Sequence, residues 1–168
     1  MTIEIEKLSD KYRVRKLDED DVEEIRQICL SNPLFYEYTQ ARSGYDDIRH
    51  DMQTCPDGKG PEDKYYVGLF DDQGMIAVMD LIDGYPDEKT AFIGFFMMRK
   101  DAQGKGTGSA IVSHVCDYLK EAGFSAVRLC INQGNPQSTH FWTKNGFVIL
   151  REYVRDDGTV YLAERNLR

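Results

Sequence analysis

With 168 residues, 41% of them hydrophobic, the chain has the length of one domain, residues 1–168, able to bury roughly two thirds of its unfolded surface without staples. The formal net charge of −8 speaks against a nucleic-acid partner, which calls for a basic face; an acidic surface suits cationic small molecules or basic peptide tails, as well as plain solubility. Cys29, Cys55, Cys116 and Cys130 form no C-x-x-C pair, and His50, His114 and His140 share no ligand spacing, so reduced thiols are expected and no metal site.

Tyr12 to Leu17 alternates and reads as a strand, whereas Ile3 to Lys7 is ambiguous. Asp18 reads as a helix N-cap followed by an acidic first turn that compensates the helix dipole, with Val22, Ile25, Ile28 and Cys29 as the apolar stripe. Asn32-Pro33 ends that helix. Leu34 to Pro61 reads as an irregular connection with one short helix, Tyr45 to Thr54, and aromatics that either line a pocket or anchor the connection to the core. A three-strand meander follows: Lys64 to Phe70, Met75 to Asp83 and Thr90 to Met98. A helix over Thr107 to Ala122 stops at Gly123, a natural left-handed C-cap. Ala126 to Ile131 is a short buried strand, and Asn135-Pro136 opens a last helix that closes at Gly146-Phe147. Phe147 to Arg155 and Thr159 to Leu162 form a hairpin across Asp157-Gly158. This order predicts an α/β fold with a mixed sheet. No apolar run approaches the ~18 residues of a membrane span, and Met1 to Glu6 is too charged for a signal peptide, so no membrane is expected and the expected compartment is the cytoplasm.

The chain is organised around Gln103-Gly104-Lys105-Gly106-Thr107-Gly108, which joins an apolar strand to an amphipathic helix. Glycines let a backbone approach a ligand closely, and the first amides of a helix lack internal partners, so such a turn can hold an anion. A nucleoside-triphosphate loop fails on spacing: Gly106 follows Gly104-Lys105 where Ser or Thr is needed, and Arg99 holds the place of the first glycine. A dinucleotide fingerprint fails because position 109 is Ser109 and no carboxylate stands near Val127 to Cys130.

Gln103-x-x-Gly106-x-Gly108 resembles the Gln/Arg-x-x-Gly-x-Gly/Ala signature of the GNAT superfamily of N-acetyltransferases. Asn135 to Phe147 resembles that family's N-x-x-A-x-x-x-Y-x-x-x-G-F helix: Asn135, Gly146 and Phe147 match, and Ser138 is a small residue where alanine is usual. The resemblance covers Tyr12 to Leu162. It implies a mostly antiparallel sheet flanked by helices, with a splayed pair of parallel central strands, and acetyl-CoA as co-substrate. It implies that the pantetheine arm lies between those strands against main-chain groups of Met97, Met98 and Arg99. Amides of Gln103, Gly104, Lys105, Gly106, Thr107 and Gly108 would hold the pyrophosphate, and the amide near Met98 would polarise the thioester carbonyl. Asn135, Ser138, Phe141, Trp142 and Lys144 would border the cofactor.

The pattern breaks at Trp142, which takes the place of a tyrosine that often protonates the departing thiolate; indole is no usable acid near neutrality. The place where some members carry a strand glutamate holds Phe92. Asp80 interrupts the apolar run Met75 to Ile82, and burial would raise its pKa toward that of a useful base. An exposed or loop-bonded position is the alternative. Asp83, Tyr85, Tyr36 and His50 are further polar candidates.

The expected activity is acetyl-CoA-dependent N-acetylation of a small-molecule or amino-acid-like amine by direct attack in a ternary complex. The rivals are an acyl-CoA-binding sensor with little turnover, which Trp142 favours, and a domain for another nucleotide. Exposed edge strands leave room for a homodimer.

Overall fold

The computed structural model describes residues 2–39 and 42–168; Gln40 and Ala41, inside the expected irregular connection, lie outside the described residues. The elements in chain order are β1 (Arg13–Lys16), α1 (Val22–Leu30), α2 (Pro33–Glu37), α3 (Tyr45–Gln53), β2 (Lys64–Asp71), β3 (Gly74–Ile82), β4 (Thr90–Met98), α4 (Thr107–Glu121), β5 (Ala126–Asn132), α5 (Pro136–Lys144), β6 (Val148–Arg155) and β7 (Gly158–Asn166). The ambiguous start is a 3-10 turn, Ile5–Leu8, whose Leu8 plugs the core. The last strand runs beyond the expected Leu162 because β7 stays paired with β5 as far as Asn166, and Glu164 holds Arg128 at 2.6 Å.

All seven strands form one sheet in the order β1-β2-β3-β4-β5-β7-β6, antiparallel except for the β4–β5 pair. Both faces of its centre are covered. Met79, Leu81 and Ile93 pack with Ile111, Val115 and Leu119 of α4 and Trp142 of α5. On the other face Tyr66, Val78 and Met97 pack with Ile25 and Ile28 of α1 and Ile48 of α3. A strand buried on both faces has no polar alternation, which is why β3 reads as a continuous apolar run. Asp80 is its one charged residue.

Asp18 caps a 3-10 turn, Glu19–Asp21, that leads into α1 rather than the α-helix itself. Asp21 returns the cap: its carboxylate accepts the Asp18 N–H at 2.9 Å and a two-pronged bond from Arg15 at 2.7 and 2.9 Å. The Arg15 bond holds the Asp21 carboxyl below the usual carboxylate range. Asp21→Ala is expected to cost about 2 kcal/mol at neutral pH, the sum of a lost cap and a lost charge-assisted pair. Because the folded pKa lies below the unfolded one, this contribution is complete above about pH 4 and fades as acid carries the pH through the folded value. Urea denaturation of the two proteins at neutral and acidic pH should show the gap closing. A constant gap would contradict it.

Candidate active site

Two central strands part because one of them carries an extra residue. The β3–β4 register slips between Asp80, opposite Phe95, and Leu81, opposite Ile93, so Gly94 is left as a bulge. A bulge bends its strand. Pairing of β4 with β5 runs from Thr90/Ala126 to Ile93/Leu129 and stops there, although both strands continue. A cavity of about 750 Å³ opens at the parting.

Register decides which main-chain groups face it. Arg99 donates its N–H to the Ile76 carbonyl at 2.8 Å, so the facing pair Met98/Ala77 is the non-hydrogen-bonded kind. The N–H and C=O of Met98 therefore point away from β3 into the gap, and by alternation so do those of Phe96. Of the expected set Met97, Met98 and Arg99, only Met98 turns its main chain to the gap in this register. The main chain of Met97 belongs to the β3 ladder, although the residue lines the cavity. Arg99 is committed elsewhere: its guanidinium holds Asp101 at 2.6 Å and the Met75 carbonyl at 3.2 Å. Phe96, not anticipated, is the other β4 residue whose main chain faces the gap, and it lines the cavity.

Beyond Met98 the chain makes a 3-10 turn, Lys100–Ala102, and enters the glycine segment. Gly104 and Gly106 have φ of +76° and +78°, and a Cβ on either would meet nothing within 4 Å. They are required for backbone angle, not for space. Gly106 is the N-cap of α4, so its left-handed turn aims the first helix amides outward. Gly108 gives space instead: a Cβ there would stand 2.9 Å from Met98 Sδ and 3.2 Å from the Phe141 ring, and those side chains would have to shift. Gln103, Gly104, Gly106 and Gly108 line the cavity; the side chains of Lys105 and Thr107 do not.

The Gln103 side chain is a brace. Its Nε2 donates to Asn32 Oδ1 at 2.6 Å and to the Met98 carbonyl at 2.9 Å, while Asn32 Nδ2 donates to the same carbonyl at 2.8 Å. Asn32 thereby ties the end of α1 to the glycine turn. Sequence reasoning saw Asn32 only as a helix stop, since nothing local links it to residues 98 and 103.

The α5 wall holds Asn135, Ser138, Phe141, Trp142 and Lys144, all of which line the cavity. Buried Asn135 is spent on structure: its Oδ1 accepts the Ser138 N–H at 3.1 Å and caps α5. Trp142 meets Phe96, Phe141 and Phe147 edge-on at centroid distances of 6.0, 4.9 and 5.2 Å. It is a core residue that also forms wall, with no proton to give.

Asp80 lies farther along the sheet, opposite Phe95, and is 9% exposed. Lys64 donates to its Oδ2 at 2.7 Å, while Oδ1 is buried without a hydrogen-bond partner. Burial pushes the Asp80 carboxyl up, and the Lys64 ammonium opposes it without cancelling it. Asp51 of α3 also lines the cavity and is likewise pushed up by burial. Burial raises the phenols of Tyr36 and Tyr66 as well, so both stay protonated. Cys130, beside Arg155 at 3.4 Å, has its thiol raised by burial, the wrong direction for a nucleophile. His50 and Asp83 do not line the cavity; Tyr85 packs edge-on against Phe92 behind it. Among the described residues no cluster of His, Cys, Asp and Glu is arranged to hold a metal, and no helix is long and apolar enough to cross a membrane.

Comparison with known proteins follows the same lines. The sequence profile described as the acetyltransferase (GNAT) family matches residues 20–147. A search of curated protein sequences finds no match. Solved structures share the fold. An acetyltransferase from Thermus thermophilus superposes with a TM-score of 0.72 at 20% identity, covering 93% of this chain and 97% of that one. An acetyltransferase from Salmonella typhimurium that modifies the N-terminal serine of ribosomal protein L7/L12 gives 0.70 at 18% identity, covering 95% and 96%. The PaiA N-acetyltransferase of Thermoplasma acidophilum, in complex with coenzyme A, gives 0.65 at 17% identity, covering 93% and 99%. The parted strands, the glycine turn at the mouth of α4 and the matching profile lead to one conclusion: this chain belongs to the acetyltransferase (GNAT) family.

Proposed function

We propose that the whole chain acts as an acetyl-CoA-dependent N-acetyltransferase whose acceptor is a small-molecule or amino-acid-like amine. The observation that carries this reading is one cavity that runs from the glycine turn, along the free edge of β4, to the buried carboxylate of Asp80. The residues present fit the co-substrate. Outward amides at the α4 mouth suit a diphosphate, and the unpaired edge of β4 suits an extended arm bearing amides.

When bound, acetyl-CoA supplies an acetyl group activated as a thioester. The N–H of Met98 would pair with the arm nearest the phosphates, its carbonyl being held by Asn32 and Gln103. The N–H of Phe96, farther from them, would polarise the thioester carbonyl; one such donor is worth about 3 kcal/mol in the transition state. The Asp80 carboxylate would take a proton from the acceptor ammonium. The freed nitrogen lone pair then forms the C–N bond as the C–S bond breaks, and the electron pair leaves on sulfur. The second proton shed by nitrogen goes to that thiolate, and Asp80 returns its own to solvent. A thiol of pKa about 8.5 leaves tolerably without an acid, so Trp142 need not donate.

Trp142 also favours a second reading, an acyl-CoA-binding sensor with little turnover. Purified protein given acetyl-CoA and a panel of amines, with free thiol followed in time, separates the two. Amine-dependent thiol release is expected. Tight binding of coenzyme A with no release on any amine would favour the sensor.

A further inference from the structure

Arg155, the last residue of β6, is exposed and lines the cavity. Strand register fixes the side of the sheet it belongs to. Residues that face one another across a ladder share a side, as do alternate residues along a strand. The side that carries Ile82 of β3 passes by Ile82/Phe92 to β4 and by Phe92/Arg128 to β5. From Cys130 and Asn132 it passes by Cys130/Leu162 and Asn132/Val160 to β7, and by Tyr153/Val160 and Arg155/Gly158 to β6. On this side α1 and α3 pack over β2, β3 and β4. Beyond them Cys130, Asn132, Val160 and Arg155 form the floor of the cavity.

The guanidinium of Arg155 has a poor partner. Nη2 donates to Cys130 Sγ at 3.4 Å, and sulfur is a weak acceptor. Arg15, Arg49, Arg99 and Arg128 each hold a carboxylate at 2.6 or 2.7 Å. Among the described residues Arg155 holds none, although Asp156 and Asp157 follow it in the chain and the sequence has 29 acidic residues against 21 basic ones. Its place is equally telling. Cys130 is one residue past Leu129, the last β5 residue paired with β4, so the guanidinium lies near the root of the gap. The amides suited to a diphosphate lie past Met98, at the mouth of α4. An anion at Arg155 is therefore not one of the cofactor's phosphates.

We propose that Arg155 anchors a carboxylate on the acceptor. The inference rests on the acetyl-transfer reading and deepens it: the acceptor is an amino acid, with an amine to be acetylated and an anionic end held on the β5–β7 floor. A planar guanidinium meets a planar carboxylate through two parallel hydrogen bonds, which a thiol cannot supply. Arg42, on the connection between α2 and α3, lines the same cavity and adds a second positive charge.

The test follows the arginine itself and needs no turnover. In protein labelled with ¹⁵N-arginine, the Nε–Hε signal of Arg155 is assigned by its loss in Arg155→Gln. It is then titrated with butyrate, butyramide and methyl phosphate, with and without saturating coenzyme A. Butyrate should shift the signal saturably in both states, and butyramide should leave it unmoved. Butyrate binding to Arg155→Gln, read from the Val160 methyl signals, should be at least tenfold weaker, a loss of about 1.4 kcal/mol. Arg155→Lys, which keeps the charge but not the fork, should recover part of it, and affinity for coenzyme A should be the same in all three proteins. Four results would each overturn the proposal: an equal shift by butyramide, tighter binding of methyl phosphate than of butyrate, unchanged butyrate affinity in Arg155→Gln, or a butyrate response that coenzyme A abolishes. Absence of thiol release on every amine is a separate failure, that of the transfer reading, and would leave butyrate bound at Arg155.

Discussion

Asp80→Asn is expected to lower kcat/KM for acetyl transfer by about 10²–10⁴-fold, the usual contribution of a positioned base, while leaving the affinity for coenzyme A unchanged. The substitution keeps the shape and an oxygen for Lys64, but it removes the charge and the capacity to take a proton. It also strands a buried lysine charge, so thermal stability should fall at the same time. The pH dependence gives the sharper test. The base must be ionised, and burial holds its pKa above the ordinary carboxylate range. The native rate should therefore climb with pH through that raised value, and the limb should vanish in the variant. A variant that keeps the native rate and the same acid limb would exclude Asp80 from the chemistry.

Gly106→Val is expected to weaken coenzyme A binding by about 10–100-fold. The position has φ of +78°, a conformation that costs a β-branched residue on the order of 1–3 kcal/mol, and each 1.4 kcal/mol is tenfold in affinity. Relief requires the peptide to rotate, which turns the first α4 amides away from the diphosphate. Gly58→Val is the control. Its φ is +81°, in a turn outside the cavity lining, so it should lose comparable stability and no affinity. Calorimetric titration of both variants decides the matter; equal affinities would mean that the turn does not hold the phosphates.

What the sequence disclosed was whatever local spacing encodes. Gln103, Gly106 and Gly108 could be read because a strand, a left-handed turn and a helix mouth occupy consecutive residues. Asp80 stood out because a charge interrupts a run that is otherwise apolar. Asn32 was opaque: its partners Met98 and Gln103 are 66 and 71 residues away, and no period connects them. Lys64 looked like the ordinary polar start of a strand, since its pairing with Asp80 depends on the register of β2 against β3. The same limit hid that Phe96, and neither Met97 nor Arg99, turns its peptide groups to the gap beside those of Met98. A single bulged residue at Gly94 sets which peptide groups face the gap, and a bulge leaves little trace in composition.

That bulge also constrains how the sequence can change over generations. While position 80 carries aspartate, a methyl group at position 94 would stand 2.6 Å from its Oδ2, so alanine there obliges the carboxylate to turn from its place beside Lys64. Shortening residue 80 first relieves that crowding. Once residue 94 has gained a side chain, restoring the acid meets the same crowding from the other side. The order of mutational events therefore bears on how readily a descendant recovers a carboxylate in this position.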